Sequence, residues 1–275
     1  MEIWEAVILG IVEGITEFLP VSSTGHLTVT EKLLGLPVDD PAITAFTVVI
    51  QIGAIAAVLF YFWSDIARIT VAWFRGLFRR EYRDDYDYRF GWYVIAGSIP
   101  IGIVGLLGEG LITGPLRSLW FVAGALIVWS GVMIFAERAA THQRGEKELT
   151  LTDTVIIGLA QCLALIPGVS RSGATISMGL LRDLDRVTAT RLSFFLSIPA
   201  LTAAGLYQLP EALNGSLELT SLIVGTVVSF IVAYASVAWL LKFVARHSIV
   251  TFVWYRVILG LVLMVLLATG VISAT

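Results

Sequence analysis

Two carboxylates near the start of the chain have the spacing of a paired chemical site. Glu13 and Glu17 are four residues apart, so a helix would place both side chains on one face. Their oxygen atoms could hold a divalent cation, or one carboxylate could act as a general base. For an isolated pair, the simpler interpretation is a helix whose acids point to water.

A proline-containing break separates this pair from a polar run, which consists of Ser22, Ser23, Thr24, Gly25 and His26. Hydroxyls and free backbone N–H groups at the start of a helix form a ready anion site. His26 lies three residues after Ser23, close enough on a helical turn to activate that hydroxyl or to protonate a leaving oxygen. Taken alone, the run is a weak signal, and a helix N-cap with His26 as an ordinary polar group is the favoured interpretation.

A second break, at 167–173, has the sequence PGVSRSG and carries an arginine among small and hydroxyl-bearing residues. The guanidinium of Arg171 has a fork of N–H donors that suits phosphate oxygens. The residues around it that could assist are Ser170, Ser172, Gly173 and Thr175. A structural ion pair of Arg171 with Glu13 or Glu17 is the alternative, but it would not account for this cluster.

The composition indicates which kind of element must position these residues. The chain has 275 residues, of which 57% are hydrophobic and 14% are charged, and its mean hydropathy is +0.87. A soluble domain could not bury so much apolar surface, so the bilayer is the natural solvent. The net charge of -3 and the lack of a basic stripe argue against a nucleic acid partner. A single cysteine excludes a disulfide within the chain, and the acidic start predicts no removable signal peptide.

Hydropathy predicts an all-α polytopic membrane protein that forms a single membrane domain, 1–275. Six stretches are long enough to cross the bilayer, at 42–63, 91–113, 118–136, 190–208, 219–243 and 252–272. Four shorter apolar stretches remain, at 3–19, 22–36, 154–166 and 173–182. Because proline and glycine interrupt them in pairs, we expect two re-entrant helical pairs that line a cavity. Gln51 lies in the first span and could line the same site, although a lone amide there more often bonds a neighbouring helix.

The chain also repeats itself. Residues 9–25 align with 157–173, with Gly10 matching Gly158 and Glu13 matching Gln161. Each copy is followed by three spans, and an odd number of crossings makes the second copy enter from the opposite face. We therefore expect an inverted-topology repeat, with repeat one at 1–136, repeat two at 154–275 and a cytoplasmic loop at 137–153.

The distribution of Lys and Arg predicts the orientation in the membrane. Fifteen of the 18 lie on one side if the spans alternate, including Arg256 beside the turn between the last two spans. Lys32 and Arg117 lie on the other side, where Glu109 is also expected near the end of its span. This asymmetry predicts that both termini are outside and the arginine-rich loops are cytoplasmic.

Three classes of function can be weighed against these features. The two breaks together fit metal-assisted or serine/histidine-assisted phosphoryl transfer, in which positioning and charge neutralisation supply most of the catalysis. A transporter is the second hypothesis, since inverted repeats with broken helices are typical of secondary transporters. Such a carrier would need Arg171 and a counter-charge, but not Ser23 beside His26. A purely structural membrane protein would leave both motifs unexplained.

The segments 13–26, EGITEFLPVSSTGH, and 167–173, PGVSRSG, closely resemble the two signature motifs of the undecaprenyl-diphosphate phosphatase family linked to bacitracin resistance. The resemblance covers essentially the whole chain. It implies hydrolysis of a polyprenyl diphosphate lipid to the monophosphate carrier of cell-envelope synthesis, with a divalent cation, Mg or Ca. It further implies a plasma (inner) membrane location and a homodimer. Together with the predicted orientation, it leads us to expect an active site open to the outer face.

The resemblance also implies roles for individual residues. Glu13 and Glu17 match the acidic, cation-binding motif, and Glu17 is the more critical of the two. Ser23 and His26 match the proposed nucleophile and its partner, while Arg171 matches the phosphate-binding arginine. Whether the serine or a metal-held water attacks is left open. Further substrate contacts are expected from Ser22, Thr24, Gly25, Gln51, Ser170, Ser172, Gly173 and Thr175.

Overall fold

The computed structural model describes residues 1–38, 40–108, 110, 116, 118–214 and 218–274, and the expectations for Glu109 and Arg117 lie outside them. Within the described residues the regular structure is helical, apart from one isolated bridge between Arg144 and Leu184. The helices are α1 (Ile3–Thr16), α2 (Ser23–Leu33), α3 (Pro41–Tyr61), α4 (Trp63–Phe78), α5 (Tyr86–Leu107), α6 (Leu119–Ala139), α7 (Leu151–Gln161), α8 (Arg171–Leu181), α9 (Arg186–Asn214), α10 (Leu219–Val244) and α11 (Thr251–Ala268).

Six of these helices are long and apolar enough to cross a membrane. They are α3, α5, α6, α9 over Arg186–Tyr207, α10 and α11. The prediction of six spans is confirmed, with ends that differ from the hydropathy estimate by up to about a turn and a half. An all-helical, multi-pass membrane protein is the fold class.

The four shorter apolar stretches form α1, α2, α7 and α8. Each of the two breaks ends in a serine with the same uncommon backbone conformation, since φ is +76° at both Ser22 and Ser170. This region of φ is rarely occupied by residues other than glycine, and such strain concentrates at functional sites. At both breaks the helix begins at the residue that follows the serine.

Glycine allows the short helices to approach the long ones closely. Helix α1 packs against α10, and α7 packs against α5. A Cβ atom added to Gly10 would lie 2.6 Å from the carbonyl oxygen of Gly225, and one added to Gly158 would overlap the carbonyl of Gly97. Small residues at such crossings are what helix packing in membranes uses, because dispersion contacts need close backbones.

Ion pairs concentrate at one end of the molecule. Asp153 is fully buried there and accepts from Arg144 at 2.6 Å and from Arg182 at 2.8 Å, with Thr150 as a further donor. Burial raises the pKa of Asp153, but these hydrogen bonds outweigh it and hold the pKa well below its usual value. The loop 137–153 is thereby attached to the start of α7 and the end of α8. Further ion pairs at this end include Arg68–Asp65, Arg68–Asp87, Arg191–Asp65, Arg191–Glu146 and Arg186–Glu137.

Both chain ends lie at the other end of the molecule. The Nζ atom of Lys32 donates to the carbonyl of Ser273 at 2.7 Å, and the backbone N–H of Leu119 donates to Ala274 at 2.9 Å. The hydroxyl of Ser221 donates to the carbonyl of Met1 at 3.3 Å. Met1 therefore lies beside the start of α10, and Ala274 lies beside the start of α6, away from the ion-pair cluster.

Candidate active site

Hydrogen bonds join the two breaks to each other. The Ser22 hydroxyl accepts from the backbone N–H of Gly168 at 3.2 Å, and the Ser172 hydroxyl donates to the carbonyl of Leu19 at 2.9 Å. Serine side chains from each break thus satisfy backbone groups of the other break. Residues more than 140 positions apart in the chain form one polar unit.

Arg256, on α11, stabilises both breaks through hydrogen bonds to their backbone. Its side chain is fully buried and donates to the carbonyls of Pro20 at 3.0 Å, Gly168 at 2.9 Å and Val169 at 3.2 Å. Arg256 was expected beside the cytoplasmic turn between the last two spans, and it lies one turn further in, in the second turn of α11 and inside the protein. A buried guanidinium is tolerated there because backbone carbonyls, which no intrahelical donor satisfies at a break, take up its N–H groups.

Glu17 is the centre of the polar side chains. One carboxylate oxygen accepts from Arg171 at 3.0 Å, and the other accepts from the Ser23 hydroxyl at 2.5 Å. The side chains of Glu17 and Arg171 are 4% and 10% exposed, so the pair is nearly removed from solvent. In this environment a carboxylate can take the proton of the hydroxyl that it binds. The carboxylate of Glu17 therefore binds a hydroxyl group and a guanidinium group at the same time.

Several buried polar atoms at this site have no partner among the described residues. Both carboxylate oxygens of Glu13 and the Nε and Nη1 atoms of Arg171 are of this kind. Glu13 is fully buried and interacts electrostatically with Glu17 and Arg171. Buried unpaired groups are costly and indicate a role beyond packing. The atoms available to a ligand are therefore the two carboxylate oxygens of Glu13 and two N–H donors of Arg171.

His26 does not contact Ser23 as its spacing suggests. Its Nδ1 atom lies 2.6 Å from the carbonyl of Ser22, and its Nε2 atom lies 2.6 Å from the hydroxyl of Tyr255. Because a carbonyl only accepts, Nδ1 carries the proton in the neutral ring and Nε2 accepts from Tyr255. The two rings stack with centroids 5.5 Å apart. The expected local contact is replaced by one with α11, and Glu17 takes the position next to Ser23.

The remaining candidates differ in how closely they join the site. Ser170 accepts from the backbone N–H of Gly173 at 3.2 Å and so caps α8. Gly25 is buried against α6, where an added Cβ would lie 3.0 Å from Val122. Thr175 points away, since its hydroxyl donates to Ser193 on α9 at 2.7 Å.

Two further candidates have no side-chain bond to this cluster. Thr24 is exposed, and Gln51 is half-buried on α3. Within the described part of the chain, neither side chain makes a hydrogen bond to Glu17, Ser23 or Arg171. Their assignment to substrate binding stays a prediction.

The donor set fits a divalent cation that shares its ligands with a substrate. Glu13 presents two open carboxylate oxygens, and Glu17 lies beside it. No group of three or more acidic, histidine or cysteine side chains that could hold a metal is found in the described ranges. Mg²⁺ is commonly held by one or two carboxylates, with phosphate oxygens and water completing the shell. Glu13 and Glu17 match that pattern.

A family model for the bacitracin resistance protein BacA matches residues 6–262. The chain belongs to this family. The resemblance found in the two motifs is thus confirmed, and the match covers both breaks, the first five spans and most of the sixth.

Individual relatives in the BacA family align with essentially the whole chain. Undecaprenyl-diphosphatase 1 of Streptomyces coelicolor is 60% identical over 275 residues, which cover 100% of this chain and 99% of the relative. Undecaprenyl-diphosphatase 1 of Streptomyces avermitilis is 58% identical over 274 residues and 99% of both chains. Undecaprenyl-diphosphatase of Cutibacterium acnes is 55% identical over 279 residues and 98% of both.

Sequence reasoning missed two residues that support this BacA-family site, Tyr255 and Arg256. A signal for Arg256 was present, because it is the only charged residue in the apolar stretch 251–268. An ionisable residue within a span is a functional candidate by default. Tyr255 gave no such signal, since tyrosine is common near the ends of spans.

Proposed function

We propose that this protein is an integral membrane phosphatase that hydrolyses undecaprenyl diphosphate to the monophosphate and inorganic phosphate. Its BacA-family relatives carry the name of that activity. The observation that carries the proposal is Glu17, which binds the Ser23 hydroxyl and the Arg171 guanidinium at once. A carrier for the same lipid would need the arginine but would have no use for a hydroxyl bound to a buried acid. The product is the lipid carrier that cell-envelope synthesis reuses.

Arg171 and the start of α2 bind the diphosphate in this proposal. The Nε and Nη1 atoms of Arg171 are buried, have no partner among the residues that the structure describes, and suit two phosphate oxygens. Ser22 precedes α2, but its hydroxyl accepts from Gly168 and no side chain caps the helix. The first N–H groups of α2 therefore stay open for an anion.

Ser23 is the nucleophile and Glu17 its base. The Ser23 oxygen attacks the terminal phosphorus while its proton passes through Glu17 to the bridging oxygen, and the bond to that oxygen breaks as the lipid monophosphate leaves. Water then attacks the phosphoserine, and Glu17 passes the water proton back to the serine oxygen as inorganic phosphate departs. Attack by water in a single step, with Glu17 as base, would give the same products without phosphoserine.

Glu13 and Glu17 would hold a divalent cation, Mg or Ca, beside the diphosphate. When bound, such an ion supplies positive charge that offsets the charge of the phosphate oxygens. His26 would orient the start of α2 through Ser22 and exchange protons with solvent through Tyr255.

An inverted-topology repeat with two re-entrant helical pairs is the architecture we propose for this site. In its support, α1 packs on α10 and α7 packs on α5, so the first short helix of each repeat meets a long helix of the other repeat. The serines at the two breaks have equal φ values. Because non-helical backbone cannot face lipid, the breaks are best accommodated inside the protein.

The orientation follows from charge. The arginine-rich end is cytoplasmic and both termini are outside, in the plasma membrane, with the active site open to the outer face. A homodimer is part of the proposal on the strength of the family resemblance. Terminal epitope tags that stay inaccessible in intact cells would overturn the orientation, and light scattering of the purified protein measures the oligomer.

The proposal is tested by phosphate release from a C55 polyprenyl diphosphate by detergent-purified protein, with and without a chelator. Chelator-sensitive release is expected from the wild type and is expected to be lost in Glu17→Ala and Arg171→Ala. Glu81→Ala and Arg138→Ala are matched controls, because both residues are exposed. No release from folded wild type would overturn the phosphatase assignment, and unchanged release from folded Glu17→Ala would overturn the placement of the active site at Glu17.

A further inference from the structure

Helix α4 presents an apolar stripe to its surroundings, although it is not one of the six spans. One side of α4 packs on α5, where an added Cβ at Gly91 would lie 2.8 Å from the ring of Trp73. The other side exposes Trp63, Val71, Phe74 and Phe78, and Phe78 is 84% exposed. Their spacing of about one or two turns aligns them along the helix. An amphipathic helix beside membrane spans lies in the bilayer interface with such a stripe towards the acyl chains.

Two arginines border this stripe and form a groove with its aromatic residues. The groove has a volume of about 480 Å³ and is lined by Phe74, Arg75, Phe78, Arg79 and Tyr82. It is formed because the chain turns back after α4, where the Nε atom of Arg83 donates to the carbonyl of Gly76 at 3.0 Å.

The guanidinium groups of this groove are available to a ligand. Within the described ranges Arg75 makes no ion pair. The Nη1 atom of Arg79 lies 3.9 Å from the Oε1 atom of Glu81, and the side chains of Arg79 and Glu81 are each about two-thirds exposed. An exposed pair at that distance contributes little. The other arginine of α4, Arg68, is already bound by Asp87 at 2.5 Å. Arg75 and Arg79 are therefore distinguished from the arginines that stabilise the fold.

We propose that this groove binds the headgroup phosphate of an anionic glycerophospholipid in the leaflet against which α4 lies. The two arginine forks match phosphate oxygens in geometry and charge. The exposed stripe is continuous with the groove through Phe74 and Phe78, so the acyl chains of the same lipid lie along it. Basic residues beside an amphipathic helix attract anionic lipid through the surface charge of the leaflet. The site is separate from Glu17 and Arg171, and it does not rest on the proposed phosphatase activity.

Native mass spectrometry of the full-length protein, titrated with phosphatidylglycerol or with phosphatidylcholine of the same acyl chains, tests the inference. The wild type is expected to retain phosphatidylglycerol at lower lipid concentration than phosphatidylcholine. Arg75→Gln/Arg79→Gln is expected to weaken phosphatidylglycerol binding about tenfold or more and to leave phosphatidylcholine binding unchanged. Lys242→Gln/Arg246→Gln removes the same charge from exposed residues of another segment and is expected to behave as wild type.

Three results would overturn the inference. Equal binding of the two lipids by the wild type would show that the headgroup charge has no role. Equal losses of phosphatidylglycerol binding in the two double variants would show only a general attraction of the lipid to positive charge. Displacement of phosphatidylglycerol by equimolar undecaprenyl phosphate would assign the groove to the carrier lipid. Because Arg75 and Arg79 are exposed, the variants are expected to melt with the wild type, and Phe78→Ser tests the apolar half of the site independently.

Discussion

Replacing Arg256 by methionine tests whether this side chain holds the two breaks together. Methionine fills a similar volume but donates no hydrogen bond, so the carbonyls of Pro20, Gly168 and Val169 would lose their donor. An unsatisfied buried acceptor costs about 1–3 kcal/mol. Because three acceptors belong to adjoining loops that relax together, their costs do not add fully. We expect Arg256→Met to lower the free energy of unfolding by about 3–5 kcal/mol, which is less than the summed cost of three separate unsatisfied acceptors.

The assay is unfolding of the purified protein by SDS in mixed micelles, with phosphate release measured on the same samples. Activity is expected to fall with stability, since the breaks carry Glu17, Ser23 and Arg171. Arg256→Lys is expected to lie between wild type and methionine, because an ammonium reaches some carbonyls but lacks the planar fork. Arg246→Met, an exposed change at the preceding turn, is expected to stay within about 0.5 kcal/mol of wild type. A folded Arg256→Met protein within about 1 kcal/mol of wild type and fully active would refute the reasoning.

Three further changes test other contacts. Ser23→Ala is expected to lower kcat at least about 100-fold, and acid-quenched, labelled phosphoserine should form in the wild type only; label-free turnover by both proteins would favour direct attack by water. Glu13→Gln is expected to raise the Mg²⁺ or Ca²⁺ concentration at half-maximal activity, and an unchanged metal titration would remove Glu13 as a ligand. Asp153→Asn is expected to destabilise the protein at pH 7. Because the folded pKa of Asp153 is depressed, the wild-type advantage is present above the unfolded pKa of about 3.9 and is lost only as pH falls below it; a pH-independent difference would contradict this.

Hydropathy was sufficient to predict the six spans, because a 30 Å hydrocarbon core demands about 20 apolar residues whatever their packing. The proline and glycine breaks were equally readable, since those residues interrupt helices locally. The hydrogen-bond partner of the Ser23 hydroxyl could not be predicted in this way. Spacing places His26 one helical turn away, but the positive φ of Ser22 sets the direction in which the chain enters α2. The hydroxyl meets Glu17 instead, and His26 meets Tyr255, which is 229 residues away.

Arg256 was misplaced for a related reason. Positive charges are assigned to loops because an unpaired cation in lipid is expensive. At a helix break, however, several carbonyls have no intrahelical donor, and a buried guanidinium stabilises them while they stabilise it. The packing of α11 against α6 determines which helix break Arg256 reaches. The local sequence does not predict that contact.

The balance of buried charge at the site bears on the requirement for a cation. Glu13, Glu17, Arg171 and Arg256 carry opposite formal charges in equal number, and Arg256 is committed to backbone carbonyls. In the proposed binding mode a diphosphate brings several negative charges into this low-dielectric region, and the donors that the described residues offer it are the open N–H groups of Arg171 and of the start of α2. Charge of that size needs a further positive partner. The two open oxygens of Glu13 can bind a divalent cation that supplies this positive charge. We therefore expect the substrate and the cation to bind with positive cooperativity. We also expect the complex with the monophosphate product to hold the cation less tightly.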